Sequence, residues 1–221
     1  HNHRDHCDEA SLKLLSGQNP KTTYLTGLKM EDLLKDFTGS QTIQTAGWYQ
    51  QYETDTSKIK VYYLPSRHWA RRGLFDTNTQ LWGAYIIQAG DKTVYFSGDT
   101  GYGSHLKEVG DLFPTIDYCI IGVGAFEPRW FMGSNHIAPD DAVKGFGEMK
   151  ARTLIPMHYG TFDLSDEPMG EPRRFLQQLE KEGKVNGALK LLDVGEVLKT
   201  GGPTPVPSPK ERGGLGDKPS L

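Results

Sequence analysis

Three histidines and an aspartate crowd the first six residues, His1-Asn2-His3-Arg4-Asp5-His6, and no other stretch limits the fold so tightly. Three imidazoles and a carboxylate at that density need a common partner, and a metal site supplies one. Neutral imidazole nitrogen with carboxylate oxygen suits zinc better than iron, manganese or nickel. In an extended loop alternate residues point the same way, so His1 and His3 can reach one ion. Asp5 and His6, beyond the turn, can reach a second. Two ions about 4 Å apart make a clamp for hydrolysis at neutral pH. A tag remnant or a solvated histidine-rich turn would look the same in isolation, so later segments must decide.

The totals narrow the class. A length of 221 residues suits one domain, or one domain with a tail. Hydrophobic residues are 36% of the chain, which implies a soluble protein with a modest core. A net charge of -3 offers no basic footprint for nucleic acid. No apolar run approaches the roughly 18 residues needed to span a bilayer, so any membrane contact is peripheral. The two cysteines, Cys7 and Cys119, lack CxxC spacing and fit ordinary thiols in a reducing compartment. That predicts an intracellular protein, cytoplasmic or at a membrane surface. The chain opens at His1 without an initiator methionine, inside what reads as a loop, so upstream sequence is expected to be missing.

Along the chain, residues 7–17 read as a short helix stopped by Gly17, and 22–26 as a strand. Apolar residues at 30, 33, 34 and 37 share one helical face. Strands are predicted over 42–46 and 59–64, with a polar loop over 50–58 between them. Segments 81–88 and 93–97 make a strand pair around Ala89-Gly90-Asp91. Residues 103–113 read as helix and 118–123 as a buried strand. Pro139 opens a helix to Met149, with Asp140 and Asp141 in its first turn. A strand over 153–157, a helix over 173–182 and two short strands within 189–198 complete the domain, residues 1–200. Glycine and proline dominate from Gly201, and residues 201–221 read as a disordered tail. Alternating strands and helices with hairpins among them predict mixed α/β sheets covered by helices.

Three ligand types recur just past predicted strands. His68 follows Leu64-Pro65-Ser66-Arg67. Asp99 sits in Gly98-Asp99-Thr100-Gly101, where a carboxylate flanked by glycines can approach a metal from a sharp turn. His158 follows Leu154-Ile155-Pro156-Met157. Singly, each is more simply a surface or hydrogen-bonded residue. Jointly with the opening cluster, they supply the ligands that two ions need.

This arrangement resembles the metallo-β-lactamase superfamily. The segments Arg67-His68-Trp69-Ala70-Arg71-Arg72, Asp76-Thr77-Asn78-Thr79-Gln80-Leu81-Trp82-Gly83, Gly124-Ala125-Phe126-Glu127-Pro128-Arg129-Trp130-Phe131-Met132 and His158-Tyr159-Gly160-Thr161-Phe162 resemble one branch of it. That branch is the N-acylphosphatidylethanolamine-hydrolysing phospholipase D family. The resemblance implies an αββα sandwich, here lacking its first strands, with two Zn2+ at one sheet edge. It implies His1, His3 and His68 on one zinc, Asp5, His6 and His158 on the other, and Asp99 bridging. It further implies a metal-bridging hydroxide that hydrolyses a phospholipid to phosphatidic acid and an N-acylethanolamine, with Asp99 as a catalytic residue. Peripheral membrane contact and a homodimer are compatible with it. Another small phosphodiester or a lactone is the alternative substrate, and an inactive fragment the alternative to an enzyme. His136 matches a further family histidine, either a substrate or supporting group at the site or a cap on the helix near Pro139. His105 matches nothing and is expected on the surface. Arg129-Trp130-Phe131 could hold a phosphate beside acyl chains. The favoured reading is a packed loop whose arginine pairs with a carboxylate such as Glu127.

Overall fold

The computed structural model describes residues 1–54 and 58–200, so the tail expected over 201–221 lies outside the described residues. After α1 (Glu9–Gln18), the strands β1 (Tyr24–Gly27) and β2 (Ile43–Ala46) form a parallel pair spanned by α2 (Glu31–Thr38). The remaining strands form one seven-stranded sheet in chain order. They are β3 (Gln50–Gln51), β4 (Ile59–Leu64), β5 (Ala84–Ala89), β6 (Lys92–Phe96), β7 (Tyr118–Gly122), β8 (Thr153–Met157) and β9 (Ala188–Leu189). Pairing is antiparallel from β3 to β6 and parallel from β6 to β9. Each parallel step needs a crossover. The crossovers carry α3 (His105–Leu112), then α4 (Arg129–Met132) and α5 (Pro139–Glu148), then α6 (Glu171–Lys181).

Period-two alternation in β4 and β5 shows how the layers stack. Leu64, Ala84 and Ile86 point to one side and share a core with Leu106, Val109, Phe146 and Leu176 of the crossover helices. Val61, Tyr63, Tyr85 and Ile87 point to the other and meet Ala46, Leu25 and Tyr52. Both faces are therefore covered, one by helices and one by the small sheet. A third cluster of Cys7, Met30, Leu34 and Phe37 packs α2 over the small sheet and ties the opening loop to it. The order is helix, sheet, sheet, helix, the αββα arrangement expected.

One consequence of the topology places the site. Two antiparallel steps make β4 run with β6, and β7 and β8 run with β6 as well. The segments that follow Leu64, Phe96, Gly122 and Met157 therefore leave the sheet at the same edge.

Several local expectations need correction. Gln50–Gln51, expected in a loop, pair with Tyr62 and Tyr63 as an edge strand. Within 189–198 the second strand is missing among the described residues. Asp193 N–H instead donates to Glu196 in a turn that contains Gly195 at φ 82°. The first helix runs past Gly17 to Gln18, because Asn19 N–H still reaches the Leu15 carbonyl. Among the described residues no helix is long and apolar enough to cross a membrane.

Candidate metal centre

The opening loop turns on His3, whose carbonyl accepts from His6 N–H at 3.1 Å and Cys7 N–H at 2.8 Å. Buried Cys7 anchors one end, and Asp8 caps α1 by accepting from Ser11 N–H at 2.8 Å. Arg72 reaches in from the β4–β5 connection and donates to the carbonyls of Asn2 (3.1 Å) and Cys7 (2.8 Å). Asn2, fully buried, donates to Gln80 at 2.6 Å. The loop is thus held by backbone carbonyls and by its buried second residue, which leaves its histidine rings to face the sheet edge.

His68, Asp99 and His158 all arrive there. Asp99 sits just past β6 in a turn where Gly98 takes φ 55°, and a Cβ on Gly98 would stand 2.9 Å from the Gly83 carbonyl oxygen. Only glycine meets both conditions without cost. His1, His3 and His68 converge, with His3 Nδ1 2.9 Å from His1 Nε2 and 3.3 Å from His68 Nε2. Asp5, His6, Asp99 and His158 form a second group of donors. Asp99 lies between them. Its Oδ2 is 3.7 Å from His1 Nε2, 3.7 Å from His68 Nε2 and 3.1 Å from His6 Nε2, while its Oδ1 is 3.3 Å from His158 Nε2. All seven residues singled out in the sequence are therefore brought together.

The donor chemistry fits two transition-metal ions. Nitrogens about 2.0–2.1 Å from a tetrahedral ion lie roughly 3.3 Å apart, close to the spacings in the first group. His68 Nδ1 faces the Asn135 carbonyl at 3.0 Å, which places its proton there and turns the Nε2 lone pair inward. Asp99 Oδ1 is buried with no hydrogen-bond partner among the described residues, although a carboxylate normally satisfies both oxygens. Burial lowers the His68 pKa to about 3 and also lowers that of His3, so both rings are neutral and able to ligate. For Asp99, burial pushes upward, but the His6 hydrogen bond and the surrounding imidazoles outweigh it and keep the group ionised.

The two halves differ in access. Side chains of His1, His68 and Asp99 are 1–3% exposed, whereas His158, His6 and Asp5 are 13%, 22% and 33% exposed. A cavity of about 180 Å³ opens over the second half, lined by Asp5, His6, His158, Tyr159, Thr161, Phe162 and Leu164.

His136 belongs to the site and caps nothing. The residue before α5 is Ala138, which makes no side-chain cap. The His136 ring instead stands 5.2 Å from that of His68 and stacks 5.5 Å from that of His158. Burial lowers its pKa, so it is neutral. His105 is not on the surface as expected. It opens α3 half-buried, with Nε2 3.0 Å from the Thr100 hydroxyl, which itself accepts from Arg67 N–H at 3.0 Å. Arg129 pairs chiefly with Asp140, at 2.7 and 3.0 Å, and only loosely with Glu127 at 3.7 Å. Its aromatic neighbours are not packed, since Trp130 is 87% and Phe131 62% exposed.

Sequence reasoning missed the supports Asn2, Arg72, Gln80 and Asn135. The dense polar run from Arg67 to Gln80 was the available signal, because so many hydrogen-bonding groups beside a strand end need partners.

A family profile described as "Beta-lactamase superfamily domain" matches residues 1–159. Among curated proteins, "N-acyl-phosphatidylethanolamine-hydrolyzing phospholipase D 1" of Caenorhabditis elegans is 32% identical over 207 residues, 89% of this chain and 58% of that protein. The mitochondrial N-acyl-phosphatidylethanolamine-hydrolyzing phospholipase D of Saccharomyces cerevisiae is 29% identical over 195 residues, 83% of this chain and 40% of that one. The chain thus spans about half the length of these relatives. Among solved structures, a metallo hydrolase from Ignicoccus hospitalis superposes with a TM-score of 0.66 at 19% identity, covering 89% of this chain and 75% of that one. That likeness speaks to the fold alone.

Proposed function

We propose that this chain, which belongs to the beta-lactamase superfamily and is one of its metal-dependent hydrolases, is a zinc-dependent phosphodiesterase of the phospholipase D type. Its substrate on this reading is an N-acylphosphatidylethanolamine-like lipid, and its products are phosphatidic acid and an N-acylethanolamine. The observation that carries the reading is Asp99, a buried carboxylate lying between the two groups of imidazoles, with Oδ2 within 3.7 Å of His1, His68 and His6 and Oδ1 3.3 Å from His158. The relatives named above support the lipid as substrate.

Two bound zinc ions would supply a nucleophilic water at neutral pH and positive charge for the phosphate oxygens. His1, His3 and His68 would hold one ion, Asp5, His6 and His158 the other, and Asp99 both. The chain's own groups do the rest. The free lone pairs of Asp99 can align the attacking water and take its proton briefly. The neutral ring of His136 offers an N–H to a substrate oxygen over the same site. Phe162 and Leu164 give the cavity an apolar wall on the open side, suited to a hydrocarbon chain.

Contact with a membrane surface is part of the reading, because a two-chain lipid must be drawn from a bilayer. Large apolar residues stand exposed on three of the four connections leaving the site edge: Leu74 and Phe75, Trp130 and Phe131, Phe162 and Leu164. Two buried free thiols support a location inside the cell.

The test uses the parent chain and Asp99→Asn with N-acylphosphatidylethanolamine in mixed micelles, and bis-p-nitrophenyl phosphate as a water-soluble control. The parent should release N-acylethanolamine, and the variant should lose at least a thousandfold of that rate. Equal turnover by both would remove Asp99 from the mechanism. Turnover of the soluble diester alone would remove the lipid.

A further inference from the structure

Glu167 lies in the β8–α6 connection, only 9% exposed, and no pattern in the sequence marks it. Its carboxylate accepts three successive backbone N–H groups, from Ala125 at 2.6 Å, Phe126 at 3.3 Å and Glu127 at 2.9 Å. The Ser165 hydroxyl donates to it as well, at 2.7 Å. Consecutive N–H groups aimed at one anion form a nest, and such charge-assisted bonds are stronger than neutral ones. A buried carboxylate is costly unless its partners are worth more, and here they serve a backbone that would not hold itself.

Residues 124–127 leave β7 in a rare conformation, with Ala125 at φ 59°. An alanine rarely adopts it unless its surroundings impose it. This stretch is also the seat of His158. Val123 N–H donates to the Met157 carbonyl at 3.0 Å, and a Cβ on Gly124 would stand 2.1 Å from the His158 carbonyl oxygen. His158 takes a positive φ of its own, 61°. Two unfavourable backbone turns thus press against each other at the open half of the site. The carboxylate that grips the first turn comes from the same connection as the second.

We propose that Glu167 is the positioning residue for His158. It locks 124–127 under the His158 turn and thereby fixes one imidazole of the more exposed metal subsite. The inference rests on the two-ion reading above and adds a role to it. A carboxylate that merely stabilised the fold would affect both subsites alike. A positioning residue affects one.

The experiment is a cobalt(II) titration of the full 221-residue chain, read by visible absorption and equilibrium dialysis, with Glu167→Gln beside the parent. Groups that hydrogen-bond a ligand directly are worth about 10–100-fold in metal affinity, and Glu167, acting through the backbone beneath His158, belongs at the lower end of that range. One of the two ions should therefore bind at least tenfold more weakly in the variant, while the other keeps its affinity within about twofold. Ser165→Ala, a milder change, should give a smaller drop confined to the same ion, and it decides the matter if Glu167→Gln fails to fold. Unchanged binding of both ions, or equal weakening of both, overturns the proposal. A parent chain that takes up fewer than two ions overturns the two-ion reading itself, and that outcome is visible before any variant is compared.

Discussion

At the scale of single residues, a ring away from the metal donors shows how burial and hydrogen bonding decide behaviour. His105 is expected on the surface because it matches no position of the family pattern. In the fold it meets Thr100, the neighbour of Asp99, and Thr100 in turn receives the N–H of Arg67, the neighbour of His68. The Thr100 hydroxyl therefore ties two site loops together, and His105 backs it. Burial lowers the His105 pKa to about 4; nearby Glu108 opposes the shift and Arg67 adds to it. The group is neutral in the folded state across the range where the unfolded chain, with a pKa near 6.5, takes up a proton. The folded value is depressed, so the contribution is fully present above about pH 6.5 and is lost as pH falls toward 4. The loss reaches up to about 3 kcal/mol. Urea unfolding between pH 7 and pH 4.5 should show that part of the acid destabilisation vanish in His105→Gln. Equal pH slopes for parent and variant would place the ring outside this account.

At the scale of elements, helices and sheet meet through close backbone approach. Gly110 of α3 lies against the backbone of Met149 at the end of α5, where a Cβ would stand 2.6 Å from the Met149 Cα. Neither backbone can yield without moving a helix. Gly110→Ala gains helix propensity of up to about 1 kcal/mol, but overpacking at such a crossing costs about 1–3 kcal/mol. The net should be a lower Tm, at roughly 2–4 °C per kcal/mol for a domain of this size. Metal uptake should change little, because Gly110 and Met149 meet toward the C-terminal ends of α3 and α5, whereas these helices approach the site at their starts; calorimetry with a parallel metal assay would check both. These elements also mark what was legible in advance. β4 and β7 carry short-range signals, apolar runs of strand length, and both lie within one residue of where they were read. The proposed ligands were legible for two reasons: His68, Asp99 and His158 come soon after apolar strands, and His1, His3, Asp5 and His6 crowd the first six residues. The supports were not. Glu167 reads as one acid among 28 acidic residues, and its nest forms only once β7 and β8 lie side by side. Gln50–Gln51 was hidden too, because two polar residues join a sheet edge only when Tyr62 and Tyr63 present their backbone. α4 is four residues long, too short for any periodicity.

At the scale of the whole molecule, the distribution of apolar surface bears on how a lipid would be reached. Phe75 is 96% and Trp130 87% exposed, and each sits in a connection that also supports the site, through Arg72 and Asn135 respectively. Aromatic pairs of this kind can enter the interfacial region of a bilayer, where each ring gains up to about 1.5–3 kcal/mol if fully withdrawn from water. The net charge of -3 gives no overall attraction to anionic lipid. Binding should therefore be driven by these tips and persist at high salt, where charge attraction would be screened. Zwitterionic phosphatidylcholine vesicles should sediment with the parent chain equally at 0.1 M and 0.5 M NaCl. Replacing the exposed pair, Trp130→Ala with Phe131→Ala, should weaken partitioning by about tenfold or more. The double variant should keep its turnover of a soluble phosphodiester, because neither ring contributes a donor to the metal groups. Binding that collapsed at 0.5 M NaCl would mean charge governs the encounter. Unaltered binding of the double variant would mean that this pair faces away from the bilayer and that the lipid reaches the cavity by another side of the molecule.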